Sequence, residues 1–114
     1  MRGKGYSMEP SRVFKLLSDE NRYNIFALLL MKELCTCDLE AVLNMKQANV
    51  SKHMNHFKHL GIVDTRKDAQ WVHYQIKQTF VDNHRLLIDY VKASEAYKQL
   101  LEILKTYPLK KCKV

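Results

Sequence analysis

A chain of 114 residues has room for one compact domain and little besides. Nineteen Lys and Arg against twelve Asp and Glu leave a net charge of +7, which favours a polyanionic partner, nucleic acid or an anionic membrane surface. The longest apolar run, Ile25 to Met31, falls well short of the roughly 20 residues a spanning helix needs, and residues 1 to 9 hold Arg2 and Lys4 without the apolar stretch of a signal peptide. The expected place is therefore the cytoplasm, with no membrane partner and with thiols kept reduced.

Periodicity then reads mostly as helix. Pro10 suits an early helical position, and Val13, Phe14, Leu16 and Leu17 supply an apolar stripe that runs to Ser18-Asp19, the cap of a second helix. That second helix, from about Glu20 to Met31, buries Ile25, Phe26, Leu28 and Leu29. A short third helix spans roughly Cys37 to Leu43, and Asn44-Met45 makes the turn. The fourth, from about Gln47 to Leu60, sets Val50, Met54 and Phe57 on one face and stops at Gly61. The period next changes to two. Ile62 to Arg66 and Trp71 to Ile76 alternate as strands, with Lys67-Asp68-Ala69-Gln70 as the hairpin turn. From about Thr79 to Tyr107 a spacing of three and four returns through Leu87, Tyr90, Ser94, Tyr97, Leu101 and Leu104, until Pro108 ends it. The division that follows is a flexible segment at 1–8, one domain at 9–107 and a basic tail at 108–114 that contains Cys112.

Two helices joined by a tight turn and followed by a β-hairpin predict a winged helix-turn-helix, a mainly α fold with a small β-hairpin. The fourth helix carries Gln47, Asn49, Ser51, Lys52 and Asn55 in its early turns, where a recognition helix meets base edges, while Lys46 and Lys58 reach for phosphates. Arg66, Lys67 and Gln70 occupy the hairpin. From Met45 to Gln78 six Lys or Arg stand against Asp64 and Asp68, so the basic excess sits where double-stranded DNA would lie; a solvated polar helix face is the plainer alternative. No glycine-rich nucleotide loop or pocket of paired carboxylates suggests an enzyme.

Cys35 and Cys37 flank Thr36 at the start of the third helix. Residues i and i+2 of a regular helix project about 200° apart, so the two thiols cannot hold one ion from inside an intact helix. They can do so at its first turn, given irregular backbone, where the helix dipole also favours the thiolate. Soft thiolates select arsenite, antimonite, cadmium or lead over hard cations. Simple packing of two small cysteines is one alternative, and a redox dithiol another, disfavoured because a bridge across i and i+2 is strained.

Leu17-Ser18-Asp19-Glu20-Asn21-Arg22 and the whole stretch from Glu33 to Ile76 resemble the ArsR/SmtB family of metal-responsive bacterial repressors, a likeness extending over roughly residues 9 to 104. ELCTCDL at 33–39 resembles the family's arsenic-site signature and NVSKHMNHFKHLGIV at 49–63 its recognition helix. The resemblance implies a homodimer formed through the first and last helices. It further implies a repressor that leaves its operator DNA when metal binds. Lys46 stands where the family usually has a capping serine, so the fourth helix should start less well capped. Glu40 stands where a third cysteine of the arsenic sensors would be, and residues 1–34 contain no cysteine, which leaves Cys112 or an exogenous thiol to complete a site. Three-coordinate arsenite or antimonite is the first expectation for the inducer, with cadmium or lead second. Asp82 and His84 resemble half of a zinc site on the last helix of related sensors, but Glu95 and Lys98 stand at the partner positions, and an ammonium cannot ligate. His53, His56 and His59 drift around the fourth helix and are expected at the groove or surface. A sensor of cadmium, lead or thiol redox state on the same fold, a protein-interaction winged helix and a soft-metal buffer are the competing readings.

Overall fold

The structure, a computed structural model, describes residues 9–107. Helix α1 (Pro10–Leu17) opens on a proline, whose missing N–H would have no helical partner there, and buries Val13 and Leu16. Arg22 closes its other end, donating from Nε to the Leu16 carbonyl at 2.8 Å and from Nη2 to that of Lys15 at 3.4 Å. Helix α2 (Glu20–Met31) starts at Asp19, whose carboxylate accepts from the Arg22 N–H at 3.1 Å. Five consecutive residues from Ile25 to Leu29 are buried, so α2 is the central rod of the core rather than a one-sided surface helix.

Two residues, Leu34–Cys35, then form a short strand β1 before helix α3 (Thr36–Leu43) begins. Asn44 ends α3 in left-handed backbone at φ 55°, and after a short turn helix α4 (Gln47–Leu60) buries Val50, His53, Met54 and Phe57. Gly61, at φ 72°, ends α4 in a conformation that costs other residues more. Strands β2 (Val63–Asp68) and β3 (Trp71–Ile76) make the hairpin, whose loop contracts to Ala69 and Gln70, with Ala69 in left-handed backbone at φ 60°. The sheet has the order β1-β3-β2, all antiparallel, with Leu34 opposite Tyr74 and Cys35 opposite His73. Arg66 lies opposite the same His73 from the other side.

Beyond the hairpin the expected single long helix is three. Helix α5 (Gln78–Asn83) stops at His84, which leaves helical backbone, sets its Nδ1 2.8 Å from the Phe80 carbonyl and stacks on the Phe80 ring at 4.0 Å. Helix α6 (Arg85–Lys92) ends at Ala93, and α7 (Glu95–Thr106) starts afresh. Ser94 causes the second break. Its hydroxyl donates to the Val91 carbonyl at 2.7 Å and accepts from the Tyr97 N–H at 3.2 Å, and the Tyr23 hydroxyl from α2 reaches it at 2.7 Å. A residue that fits the apolar spacing of one helix is thus the N-cap of the next.

A dithiol at the root of a winged helix-turn-helix

Cys35 is both the last residue of β1 and the N-cap of α3, in extended backbone at φ −88°, ψ 169°. That placement removes the 200° divergence of two helical residues, because only Cys37 belongs to the helix. The two sulfurs and a carboxylate oxygen of Asp38 all lie within 4.8 Å of one another. Among the described residues this is the one His, Cys, Asp or Glu group that so converges. Cys35 is buried and Cys37 half-buried. Both cysteines are in the disulfide-bonded state, which corrects the expectation of a reduced pair: the N-cap turn carries the Cys35 side chain to the side of Cys37, so proximity is no longer limited by helical spacing. The bonded form has no thiolate to offer, and two-electron reduction yields the soft donor pair.

Asp38 is the residue that sequence reasoning passed over. Its Oδ2 accepts from the Cys35 N–H at 3.3 Å, and its own N–H faces the Cys35 sulfur, a reciprocal capping arrangement for α3. Its Oδ1 is buried without a hydrogen-bond partner. A carboxylate three residues into a helix reads as a dipole-compensating charge, and only the burial of its second oxygen beside two sulfurs distinguishes it. The donor set therefore fits a thiophilic ion, with two sulfurs from the reduced pair and one oxygen. Cys112 lies outside the described residues.

The surface beyond the site is polar and open. Lys46, Gln47, Asn49, Ser51, Lys52 and Asn55 are all exposed on α4, as are Arg66, Lys67 and Gln70 on the hairpin. Lys46 is the N-cap of α4 and makes no side-chain capping bond. Lys58 is turned back, its ammonium 5.9 Å from the Tyr74 ring centroid. Arg66 is engaged rather than free, donating from Nε and Nη2 to the two carboxylate oxygens of Glu33 at 3.0 and 2.8 Å. The pair holds the Glu33 carboxyl below its ordinary range and raises the Arg66 pKa, in each case chiefly through that hydrogen bonding.

Residues 19–65 match the model of the bacterial regulatory protein, arsR family. The arsenical resistance operon repressor of Staphylococcus xylosus is 34% identical over 87 residues, covering 76% of this chain and 84% of that protein. The chain belongs to the arsR family. The cadmium resistance transcriptional regulatory protein CadC of Listeria innocua is 45% identical over 74 residues, 64% of this chain, and the match spans 62% of CadC's own length. Among solved structures, the homodimeric winged helix-turn-helix DNA-binding domain Mb0332 of Mycobacterium bovis superposes with a TM-score of 0.62 at 22% identity, covering 83% of this chain and 94% of that one. The fold is thus the winged helix-turn-helix, and these arsR-family relatives are transcriptional regulators rather than enzymes.

The other ligand candidates suggested by the arsR resemblance do not come together. Asp82 accepts from Gln78 at 2.9 Å, His84 is tied to Phe80, and neither shares in a converging group. His53 corrects the expectation of a groove-facing residue: it is buried, its Nδ1 has no partner, and burial lowers its pKa. His56 and His59 are exposed.

Proposed function

We propose that this protein is a metal(loid)-responsive transcriptional repressor that binds operator DNA as a homodimer and is released when a soft ion is captured by the reduced Cys35 and Cys37. The observation that carries the reading is Cys35 itself, at once a strand residue of the wing sheet and the N-cap of the helix that braces α4. Gathering both sulfurs onto one ion constrains that junction, so the ligand acts on the element that aims the recognition helix and wing. Arsenite or antimonite is the favoured inducer, because two thiolates plus one more donor, Asp38, Cys112 or a cellular thiol, satisfy a three-coordinate ion. Relatives named for arsenical and for cadmium resistance support the thiophilic class, and cadmium or lead is the second choice.

Gln47, Asn49, Ser51 and Asn55 would read bases, with Lys46, Lys52, Lys67 and Gln70 holding phosphates or a groove edge, while Arg66 is committed to Glu33. The dimer would form through α1 and α6. Phe14, Leu86 and Tyr90 are 62%, 87% and 80% exposed, and a groove of about 460 Å³ between these helices is lined by Phe14, Leu17, Tyr23, Leu87 and Tyr90. An apolar surface of this kind is expected to be covered. Two-fold pairing would place two α4 helices on successive turns of an imperfect palindrome.

The test is a mobility-shift titration of the reduced chain on a duplex it has selected from random sequence, with and without sodium arsenite or cadmium chloride. Release by arsenite that is lost in Cys35→Ser and in Cys37→Ser, with DNA affinity retained, is expected. Normal release from the Cys35→Ser/Cys37→Ser double variant would remove the dithiol from the mechanism.

A further inference from the structure

Glu33 and Arg66 form a bidentate pair between residues that belong to no common element. Glu33 immediately precedes β1 and Arg66 lies in the middle of β2, with β3 between the two strands. The pair therefore spans the sheet, starting two residues before Cys35 and ending on the wing strand that also carries Lys67. The strand it adjoins is short, meeting β3 through Leu34 and Cys35, both buried. Both side chains are partly exposed, 53% for Arg66 and 34% for Glu33, so the pair adds little to folding. Its placement is what distinguishes it. His73 of β3 faces Cys35 on one side and Arg66 on the other, so the dithiol, the middle strand and the wing arginine lie in one row.

Resting on the reading of Cys35 and Cys37 as the inducer site, we propose that the Glu33–Arg66 pair couples that site to the wing. Ligand capture shifts the backbone at Cys35, Glu33 moves with it, and Arg66 passes the displacement to β2 and the hairpin tip. Arg66 is then a positioning residue, acting on DNA through the wing's orientation. A coupling element changes the ratio of DNA affinities with and without ligand, whereas a simple phosphate contact lowers both affinities alike.

The experiment uses the full, reduced chain on its selected duplex, with fluorescence anisotropy in the absence and presence of saturating sodium arsenite. Glu33→Gln should bind arsenite with unchanged stoichiometry and keep its ligand-free DNA affinity within about twofold. Its arsenite-induced loss of affinity should be about threefold to fivefold smaller than that of the wild type, the range that an exposed pair can carry. The charge-exchanged double variant, Glu33→Arg with Arg66→Glu, should restore most of the response. Arsenite should also speed amide hydrogen exchange across residues 63–76 in the wild type and do so less in Glu33→Gln. A responsive wild type with an unchanged ratio in Glu33→Gln overturns the coupling alone. So does an Arg66→Gln variant that weakens DNA binding equally in both states. A wild type that does not respond to arsenite overturns the sensor reading and the coupling with it.

Discussion

Replacing Asp38 by alanine and by asparagine separates its two proposed tasks, capping α3 and donating an oxygen to the inducer. Asp38→Ala removes the acceptor for the buried Cys35 N–H and a negative charge from the first turn of α3. Loss of a cap costs about 0.5–2 kcal/mol and loss of a favourable dipole interaction about 0.3–1 kcal/mol. Against this, the same substitution deletes the partnerless buried Oδ1, whose desolvation penalty of about 1–3 kcal/mol disappears with it. These opposing contributions leave Asp38→Ala within about 2 kcal/mol of the wild type in either direction, or roughly 8 °C in melting temperature either way at about 4 °C per kcal/mol. Asp38→Asn keeps an oxygen for the Cys35 N–H and should melt within a few degrees of wild type. Arsenite changes the comparison, because a ligand at about a hundred times its Kd stabilises the fold by about 2.7 kcal/mol. If Asp38 donates to the ion, both variants should show a smaller arsenite-induced rise in melting temperature than the wild type, although only alanine disturbs the cap. Thermal melts followed by circular dichroism in reducing buffer, with and without sodium arsenite, give all six numbers. Equal arsenite-induced rises in all three proteins would refute the assignment of Asp38 as a ligand, and a loss above about 4 kcal/mol for Asp38→Ala without arsenite would show that its Oδ1 is not the orphan described.

Gln47→Ala should lower preference for the selected duplex over random DNA by about 1–3 kcal/mol, while Lys67→Ala should weaken both similarly and flatten the salt dependence; anisotropy at several salt concentrations checks this, and an unchanged preference in Gln47→Ala would move the base-reading face elsewhere. His53 has its pKa lowered by burial, only partly opposed by Asp19 and reinforced by Arg22, Lys52 and His56. The unfolded chain therefore binds the extra proton first, and stability present above about pH 6.5 is lost as pH falls through that value towards the folded pKa. Urea midpoints between pH 7 and pH 5 should fall for wild type and fall less for His53→Gln, and parallel slopes would show that another group is responsible. Tyr90→Glu places a charge on the exposed face of α6 and should shift a dimer to monomer by light scattering at micromolar concentration, whereas a monomeric wild type would contradict the two-fold assembly.

The elements that the sequence declares are those whose period runs long enough to be counted. Val50, Met54 and Phe57 repeat across about two turns and are buried on one face of α4, and Gly61 stops that helix where it should. The hairpin is equally readable from the alternation of Trp71 to Ile76, although its loop is tighter than the turn residues suggest, because β2 continues to pair through Asp68. Residues 79–107 mislead for a definite reason. Ser94 keeps the spacing of three and four while its hydroxyl caps a new helix, and His84 abandons helical backbone while its ring stacks on Phe80. Local polar bonds decide both breaks, and an apolar pattern does not register them.

The dithiol shows the converse case, in which a geometric conflict in the sequence points to structure that no pattern displays. Two cysteines at i and i+2 cannot converge in a helix, so their cooperation demands irregular backbone at that point. The structure supplies it through β1, a strand of two residues, too short for any alternation to appear. This locates the sensitive element more narrowly than α3 as a whole. An ion that gathers Cys35 and Cys37 need not unwind α3, whose carboxyl-terminal residues from Leu39 onward make no contribution to the donor group. It need only alter the N-cap, where the Cys35 N–H meets Asp38 and the chain leaves the edge of the wing sheet. Changes in backbone exchange on adding arsenite should accordingly concentrate at residues 33–38 and across β2 and β3, with the end of α3 at Val42 and Leu43 little affected; uniform loss of protection along α3 would mean that the helix melts and that the sheet edge is a bystander.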